Sequence, residues 1–239
     1  MSRFARLASG TLLAAGAALA LHALPPAAVA ETVAAGPLPG PALDAAPATG
    51  LQTAVFAGGC FWGIQAVFQH VAGVTEAVSG YAGGTLANPS YEQVSAGTTG
   101  HAEVVRVTFD PAKVSYGTLL RIFFSVALDP TEVNRQGPDT GTQYRSDLFA
   151  ETPEQAAVAT AYIAQLDAAH LFPAPIATRV DKAVPFFPAE AYHQDYLHQH
   201  PNNPYIVVND APKVQALAAR FPEHWQAQPA AVGRLALAK

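Results

Sequence analysis

The chain has 239 residues and a formal net charge of −5, and apolar residues make up 50% of it while charged residues make up only 13%. Because the chain is acidic and has no basic run, it is a poor candidate for binding nucleic acid or an anionic membrane surface, and we expect no nucleic-acid partner. The chain has a single cysteine, which cannot form a disulfide within the chain. The stability of the protein must therefore come from a hydrophobic core.

The first 30 residues have the order of a secretory signal. Two arginines precede an apolar run over about residues 12–24, and the small residues 28–30 come just before Glu31. The apolar run is shorter than the roughly 20 residues that a membrane-spanning helix needs. We therefore predict a signal peptide over residues 1–30 and an exported protein, periplasmic or secreted, without a stable membrane span.

One domain is predicted between two weakly patterned segments. Residues 31–50 are mostly Ala, Pro and Gly without periodicity, which predicts a flexible linker. Residues 51–225 are long enough for a single core. Residues 226–239 form an Ala-rich tail that we expect to fray.

Cys60, the one cysteine, lies between a predicted strand and a predicted helix. The apolar run Gln52–Ala57 predicts the strand, and Gly58-Gly59 separates it from the helical pattern over Phe61–His70. A helix N-terminus presents free N–H groups and a dipole that favour a thiolate. Most free cysteines are buried as small hydrophobes. We favour a nucleophile because the glycines leave the backbone open and the two aromatic residues that follow suggest a pocket.

A long loop and a strand come next. Residues 74–100 are rich in Gly, Ser, Thr and Tyr, and long ordered loops are usually functional. The alternation over Ala102–Phe109 predicts a strand with Glu103 at its beginning. Partial burial there would raise the pKa of Glu103 and keep it protonated as an acid, whereas an edge position would leave it in water.

The middle of the chain predicts two helices and a second loop. Ser115 can cap an apolar helix that ends at Asp129-Pro130. Residues 132–145 are polar and punctuated by glycine, which predicts a loop able to face the first one. Thr152-Pro153 then begins a helix that extends to about Ala169.

The last elements complete an α+β pattern. A strand over 176–183, a short helix over 188–200 and a final helix over 211–220 are predicted. Because no βα unit of fixed length repeats, this order favours a two-layer α/β sandwich over a doubly wound sheet. We predict a mixed sheet with a ferredoxin-like core and long functional loops.

Three histidines near the C-terminus invite a test for a metal site. The spacings between His193, His198 and His200 do not put their imidazoles on one helix face, and no HExxH pattern assists. We therefore predict solvated histidines and no bound metal.

Several short motifs extend, in order, along nearly the whole predicted domain. They are Gly59–Gly63, Gly80–Gly84, Tyr91, Thr99–Glu103, Gly141–Ser146 and Ala191–Leu197. In sequence and in order they resemble the motifs of the A-type peptide methionine-sulfoxide reductases. The resemblance covers about Leu51 to Tyr205.

The resemblance implies a reaction and two catalytic residues. Cys60 would attack the sulfoxide sulfur, and Glu103 would protonate the departing oxygen. The products would be methionine and a sulfenic acid on Cys60, and only the S epimer would react. Such an enzyme repairs oxidised proteins under oxidative stress, with methionine-sulfoxide-containing proteins and peptides as its substrates.

The resemblance also implies how the substrate is held. Phe61 and Trp62 would hold its S-methyl group, while Tyr91 and Tyr144 would hydrogen-bond its oxygen and Asp139 would support the site. A sulfoxide is a polar group on an apolar side chain, so its recognition requires donors for one atom and an aromatic wall for the methyl.

One departure from the family pattern concerns recycling. Many members carry resolving cysteines, whereas here Ser95 stands in the first loop and Ile206 follows Tyr205. We therefore predict an external thiol as reductant, a thioredoxin-like protein or, in vitro, dithiothreitol, with no bound cofactor. We expect a monomer.

Two other function classes stay open at this point. An exported cysteine hydrolase would pair Cys60 with His101 or His193, but the papain-like and caspase-like local signatures are absent. An exported module that binds methionine sulfoxide without turnover would also use the Phe61-Trp62 wall. A redox assay of Cys60 separates such a module from a reductase.

Overall fold

The computed structural model describes residues 37–46 and 48–232. The predicted signal peptide, the first part of the predicted linker and the last seven residues of the predicted tail lie outside the described residues. Within the described part, every helix is too short or too polar to cross a bilayer.

The described chain alternates strands and helices. The strands are β1 (Gln52–Gly58), β2 (Val74–Ala82), β3 (Ala102–Phe109), β4 (Arg135–Gln136), β5 (Asp139–Thr140), β6 (Ser146–Ala150), β7 (Arg179–Lys182) and β8 (Phe187–Pro188). The α-helices are α1 (Phe61–Gln69), α2 (Tyr91–Ser95), α3 (Tyr116–Ile122), α4 (Pro153–Ala168), α5 (Tyr196–Gln199) and α6 (Ala211–Arg220). Two π-helical turns, Phe123–Ala127 and Ile206–Asp210, adjoin α3 and α6.

Six strands form one mixed sheet in the order β7-β6-β1-β3-β2-β8, and β4 pairs with β5 separately. Only β6 and β7 pair in parallel; the other neighbours are antiparallel. In the central order β6-β1-β3-β2, β1 and β2 are joined through α1 with β3 between them. This is the split βαβ arrangement of a ferredoxin-like core, so the fold prediction is confirmed.

The main hydrophobic core lies between the sheet and the helices. Val105, Val107 and Phe109, which alternate along β3, are fully buried in it. Phe56 of β1 packs on Phe68 of α1, with ring centroids 4.5 Å apart. On the other face of the sheet, a smaller apolar cluster is covered by Phe186. Helices thus cover one face, as expected for two layers.

The predicted loop over residues 74–100 is wrong in its first third, where the chain forms β2. Ser and Gly residues weaken the strand pattern there, but the backbone N–H and carbonyl of Ser79 find hydrogen-bond partners outside the sheet. The side chain of Gln194 accepts from the Ser79 N–H at 3.0 Å and donates to the Ser79 carbonyl at 2.9 Å. A side chain distant in sequence therefore completes this strand.

Two other predictions need correction. The strand β6 was not predicted, because it directly follows a polar loop. The predicted helix over 188–200 is interrupted: β8 and a 3₁₀ turn, Ala191–His193, precede α5, and Asp195 between them has a left-handed backbone with φ 55°. The strand predicted over 176–183 is shorter, at Arg179–Lys182.

Residues 37–46, which the sequence predicts as part of a flexible linker, pack on α3 and α4. We call this segment the N-terminal strap. Leu38 is 1% exposed, its N–H donates to Ser125 Oγ at 3.2 Å and its carbonyl accepts from Arg121 Nε at 2.6 Å. The hydroxyl of Tyr162 donates to the Pro39 carbonyl at 2.7 Å. The domain therefore begins N-terminal of Leu51.

The first residues of the predicted Ala-rich tail also bind the domain. The Gln226 N–H donates to the His70 carbonyl at 2.9 Å, and the Ala230 N–H donates to the Gln69 carbonyl at 2.8 Å. These bonds occupy carbonyls at the C-terminal end of α1, which a helix leaves without partners of its own. Residues 226–232 therefore continue the fold.

Candidate active site

The turn between β1 and α1 places Cys60 at the start of the helix. Gly59 has a φ of 93°, which favours glycine, and a Cβ there would lie 2.5 Å from Gln136 Cβ. Cys60 follows as the N-cap residue of α1. The turn thus places Cys60 at the N-terminal end of α1.

The first turn of α1 packs tightly against a buried ion pair. Lys213 Nζ lies 3.2 Å from Asp210 Oδ1, and the Asp210 side chain is fully buried. A Cβ at Gly63 would collide with this carboxylate and lie 3.1 Å from Lys213 Nζ. A side chain at position 63 would therefore have to displace the Asp210 carboxylate.

Strand pairing brings Glu103 next to this turn. Because Phe56 pairs with Val105 in an antiparallel register, the end of β1 runs beside the beginning of β3. The Phe61 N–H donates to Glu103 Oε2 at 3.0 Å. The Glu103 side chain thus reaches the N-terminal turn of α1.

The environment of Glu103 keeps it protonated at neutral pH. The residue is 2% exposed, and this burial raises its pKa to about 8, against the opposing effect of the Phe61 N–H; Asp139 and Asp210 raise it further. The sequence analysis left open that Glu103 lies at an edge of the sheet in water, and its burial shows that this alternative is wrong. A neutral carboxyl group beside a helix N-terminus can donate a proton.

The thiol of Cys60 is protonated at rest, which corrects the expectation of a thiolate. Cys60 is 8% exposed, and burial raises the pKa of its thiol well above the ordinary value, as do Glu103 and Asp210. The Trp62 backbone N–H and Lys213 oppose this rise. Desolvation of the sulfur outweighs the favourable helix terminus.

An aromatic wall stands beside the thiol. Trp62 stacks on Tyr196 with centroids 3.8 Å apart and planes 7° apart, and Tyr205 meets its edge at 5.9 Å. Trp62 Nε1 donates to His193 Nδ1 at 3.1 Å. The indole is therefore fixed on both its face and its polar edge.

Hydroxyl groups stand on another side. Burial raises the pKa of Tyr91 to about 12 and also raises that of Tyr144, so both phenols are donors at neutral pH. The Tyr205 hydroxyl donates to Asp139 Oδ2 in a short hydrogen bond. Asp139 is thus held by a residue that the sequence analysis did not select.

These groups line one cavity of about 340 Å³. All seven residues selected from the sequence line it: Cys60, Phe61, Trp62, Tyr91, Glu103, Asp139 and Tyr144. Asn203 and Tyr205 line it as well and were missed. The resemblance ended at Tyr205, and the only signal for this segment was its position there.

The arrangement does not suit a cysteine hydrolase. His101 Nδ1 accepts from the Gly84 N–H at 3.1 Å and its Nε2 bonds the Leu86 carbonyl at 2.8 Å, while His193 accepts from Trp62. In each imidazole that could have served as the base, the nitrogen that accepts is therefore occupied by a structural donor. Among residues 37–46 and 48–232, no group of three or more His, Cys, Asp or Glu is arranged to hold a metal ion.

Comparisons with known proteins agree on one family. The family model described as peptide methionine sulfoxide reductase matches residues 52–225. A peptide methionine sulfoxide reductase, MsrA 2, of Mesorhizobium japonicum is 55% identical over 190 residues, which cover 80% of this chain and 97% of that protein. MsrA 2 of a Synechocystis species is 50% identical over 195 residues, covering 80% of this chain and 91% of that protein.

Solved structures give the same result. Methionine sulfoxide reductase A of Corynebacterium diphtheriae superposes with a TM-score of 0.56 at 34% identity, covering 74% of this chain and 93% of that one. Reduced Mxr1 of Saccharomyces cerevisiae has a TM-score of 0.56 at 32% identity, covering 64% of this chain and 87% of that one.

Proposed function

This chain belongs to the peptide methionine sulfoxide reductase family, and from that premise we propose that it reduces methionine S-sulfoxide, free or in proteins, to methionine. Cys60 is the nucleophile, and Glu103 is the acid. The reducing equivalents come from an external thiol. The enzyme thereby repairs proteins after oxidative damage.

The observation that supports this proposal is the pairing of a buried thiol with a protonated carboxyl group in one cavity. Glu103 has a pKa of about 8, so it holds a proton at neutral pH. A sulfoxide oxygen must accept a proton to depart, and a neutral acid in a desolvated site can provide it. A hydrolase would need a base in this place.

The cavity also matches the two halves of the substrate group. Phe61 and Trp62 offer an apolar surface to the S-methyl group. Tyr91 and Tyr144 offer hydroxyl donors to the oxygen, and Asp139 supports this side through its bond to Tyr205. A thioether product lacks the oxygen and loses these donors, which favours its release.

The reaction balances with one sulfur of the protein. The Cys60 sulfur forms a bond to the sulfoxide sulfur as Glu103 protonates the oxygen, and Glu103 regains a proton from the thiol. The S–O bond and the transient S–S bond then break, the hydroxyl passes to the Cys60 sulfur as the sulfenic acid, and methionine leaves. The methionine sulfur is reduced by two electrons and the cysteine sulfur is oxidised by two. An external thiol then forms a mixed disulfide with loss of water, and a second thiol group releases Cys60 as the thiol.

The reductant must come from outside, because the sequence has one cysteine. We propose a thioredoxin-like protein, for which dithiothreitol can substitute in vitro. We also propose that residues 1–30 direct export to the periplasm or the medium and that the mature protein is a monomer. N-terminal sequencing of the native protein and its mass in solution test these two points.

The test of the function uses a peptide with each methionine sulfoxide epimer in turn, with dithiothreitol as reductant. We expect reduction of the S epimer alone, and a loss of more than about 10³-fold in the Cys60→Ser variant, because a hydroxyl lacks the nucleophilicity of sulfur. A protein that binds the peptide but leaves both epimers unreduced would be a binding module. Substantial activity in Cys60→Ser would remove Cys60 from the reaction.

A further inference from the structure

Glu190 joins two tyrosines on different elements from outside the cavity. Its Oε1 accepts from the Tyr91 N–H at 2.9 Å, and its Oε2 accepts from the Tyr81 hydroxyl at 2.9 Å. Tyr81 lies on β2, is fully buried and pairs across the sheet with Glu103 of β3. Tyr91 is the first residue of α2, and its ring lines the cavity. The carboxylate therefore connects the rigid sheet to a cavity-lining residue.

The Tyr91 N–H needs a partner from outside its helix. The first N–H groups of a helix have no partner within it. Ser90, the N-cap residue, uses its side chain for the Gln93 N–H, so Glu190 takes the N–H of Tyr91. With only five residues, α2 has little rigidity of its own. Val94 anchors the middle of the helix in the core, so this external bond is what holds its first residue.

The same segment also contacts the aromatic wall formed by Trp62. Glu190 precedes the 3₁₀ turn Ala191–His193, and His193 accepts from Trp62 Nε1. The ring of His193 lies 4.4 Å from that of Tyr91. One short turn therefore contacts both the hydroxyl side and the aromatic side of the cavity.

We propose that Glu190 is a positioning residue that fixes the Tyr91 hydroxyl against the sulfoxide oxygen, an inference that rests on the proposed function. Glu190 transfers no proton and does not touch the substrate. It acts through the backbone of Tyr91, because a tilt of α2 moves the phenol away from the oxygen on which charge develops. A misplacement of about 1 Å at a reacting centre can cost about 10²-fold in rate.

Glu190→Gln shows whether Glu190 acts through its hydrogen bonds or through its charge. In Glu190→Gln the amide oxygen can accept from the Tyr91 N–H and the amide nitrogen can donate to the Tyr81 oxygen, so we expect most of the activity to be retained. In Glu190→Ala both bonds are lost. We expect kcat/KM with the S-sulfoxide peptide to fall by about 10- to 100-fold, mainly in kcat, because the Tyr91 donor matters most in the transition state.

A double-mutant cycle with Tyr91→Phe identifies the route of the effect. If Glu190 acts through the Tyr91 hydroxyl, Glu190→Ala costs less than about threefold in a chain that already lacks this hydroxyl. Full additivity of the two losses would overturn the inference. Equal activity of Glu190→Ala and wild type would overturn it as well.

A further variant covers the case in which Glu190→Ala folds poorly. Tyr81→Phe combined with Glu190→Ala removes the buried hydroxyl that would otherwise lose its acceptor, so only the Tyr91 N–H is left without its partner. We expect the same loss in kcat at a melting temperature near that of Tyr81→Phe alone. Recovery of kcat in this double variant would mean that Glu190 serves stability only. An inactive wild type, by contrast, would contradict the proposed function and not the role of Glu190.

Discussion

At the scale of single residues, both reacting groups of the cavity carry their protons at rest for the same physical reason. Burial raises the pKa of the Cys60 thiol well above its ordinary value and raises that of Glu103 to about 8. A protonated thiol is a poor nucleophile toward general oxidants. We infer that reactivity at Cys60 develops only when a sulfoxide in the cavity can take up a proton.

The pH dependence of Glu103→Gln tests this picture. The acid form of Glu103 is lost as pH rises through about 8, so the slope of log kcat/KM against pH should fall by one across that value. In Glu103→Gln this break should vanish, and turnover should be lower by about 10²- to 10⁴-fold.

Steady-state rates between pH 6 and 10, with the S-sulfoxide peptide and a fixed fraction of reductant thiolate, measure both effects. The matched control is Glu76→Gln, which neutralises a carboxyl group on β2 outside the cavity lining and should keep the break. A break that persists near pH 8 in Glu103→Gln would assign it to another group.

Most of the cavity could be predicted from the sequence because its residues lie in short motifs. Cys60, Phe61 and Trp62 are contiguous, and Glu103 begins a strand whose alternation is clear. Asn203 and Tyr205 could not be selected, because such residues are common in surface loops. Only the fold, which brings this segment to α1, reveals them.

At the scale of elements, the contact between α1 and the Asp210–Lys213 pair controls the surroundings of the sulfur. Asp210 ends a π-helical turn, a rare element that is frequent at functional sites. Within the described part of the chain its Oδ2 has no hydrogen-bond partner. The pair therefore acts on Cys60 through charge in a desolvated region.

We expect the charges of Asp210 and Lys213 to have opposite effects on the pKa of the Cys60 thiol. Asp210 raises the pKa of Cys60 and Lys213 lowers it. Asp210→Asn should therefore lower this pKa and accelerate alkylation by iodoacetamide at pH 8, whereas Lys213→Met should raise the pKa and slow alkylation. The rate of alkylation between pH 7 and 11, followed by intact mass, reports both shifts. Shifts of the same sign in the two variants would indicate a change of packing instead.

Elements with a regular apolar period could be predicted, and those completed by distant groups could not. The helix α4 begins at Pro153 with Thr152 as its N-cap, as predicted, and the Thr152 side chain accepts from the Gln155 N–H. The strand β2 was missed because its edge is completed by Gln194, 115 residues later than Ser79. No local pattern encodes such a partner.

At the scale of the whole molecule, the single cysteine limits what the protein can do alone. The sequence contains Cys60 and no other cysteine, so an oxidised enzyme has no internal route back to the thiol. The site is therefore used twice in each cycle, first by the substrate and then by the reductant. Cys60 is 8% exposed, so the reductant must present a protruding thiol or be small.

A single turnover without reductant should produce at most one methionine per chain. The product protein should carry a sulfenic acid on Cys60, which dimedone traps as one adduct visible in the intact mass. Cys60→Ser, treated in the same way, should give neither methionine nor adduct. Two methionines per chain before any reductant is added would contradict this stoichiometry.

The N-terminal strap is held to the domain by contacts that are distant in sequence. Leu38 bonds Ser125 across a separation of 87 residues, and Pro39 bonds Tyr162 across 123 residues. A contact between residues so far apart in sequence closes a large loop, which costs conformational entropy. We therefore expect it to form late, after the surfaces that it joins have formed. The strap is therefore expected to dock last, once α3 and α4 have met, and to open first when the native state fluctuates.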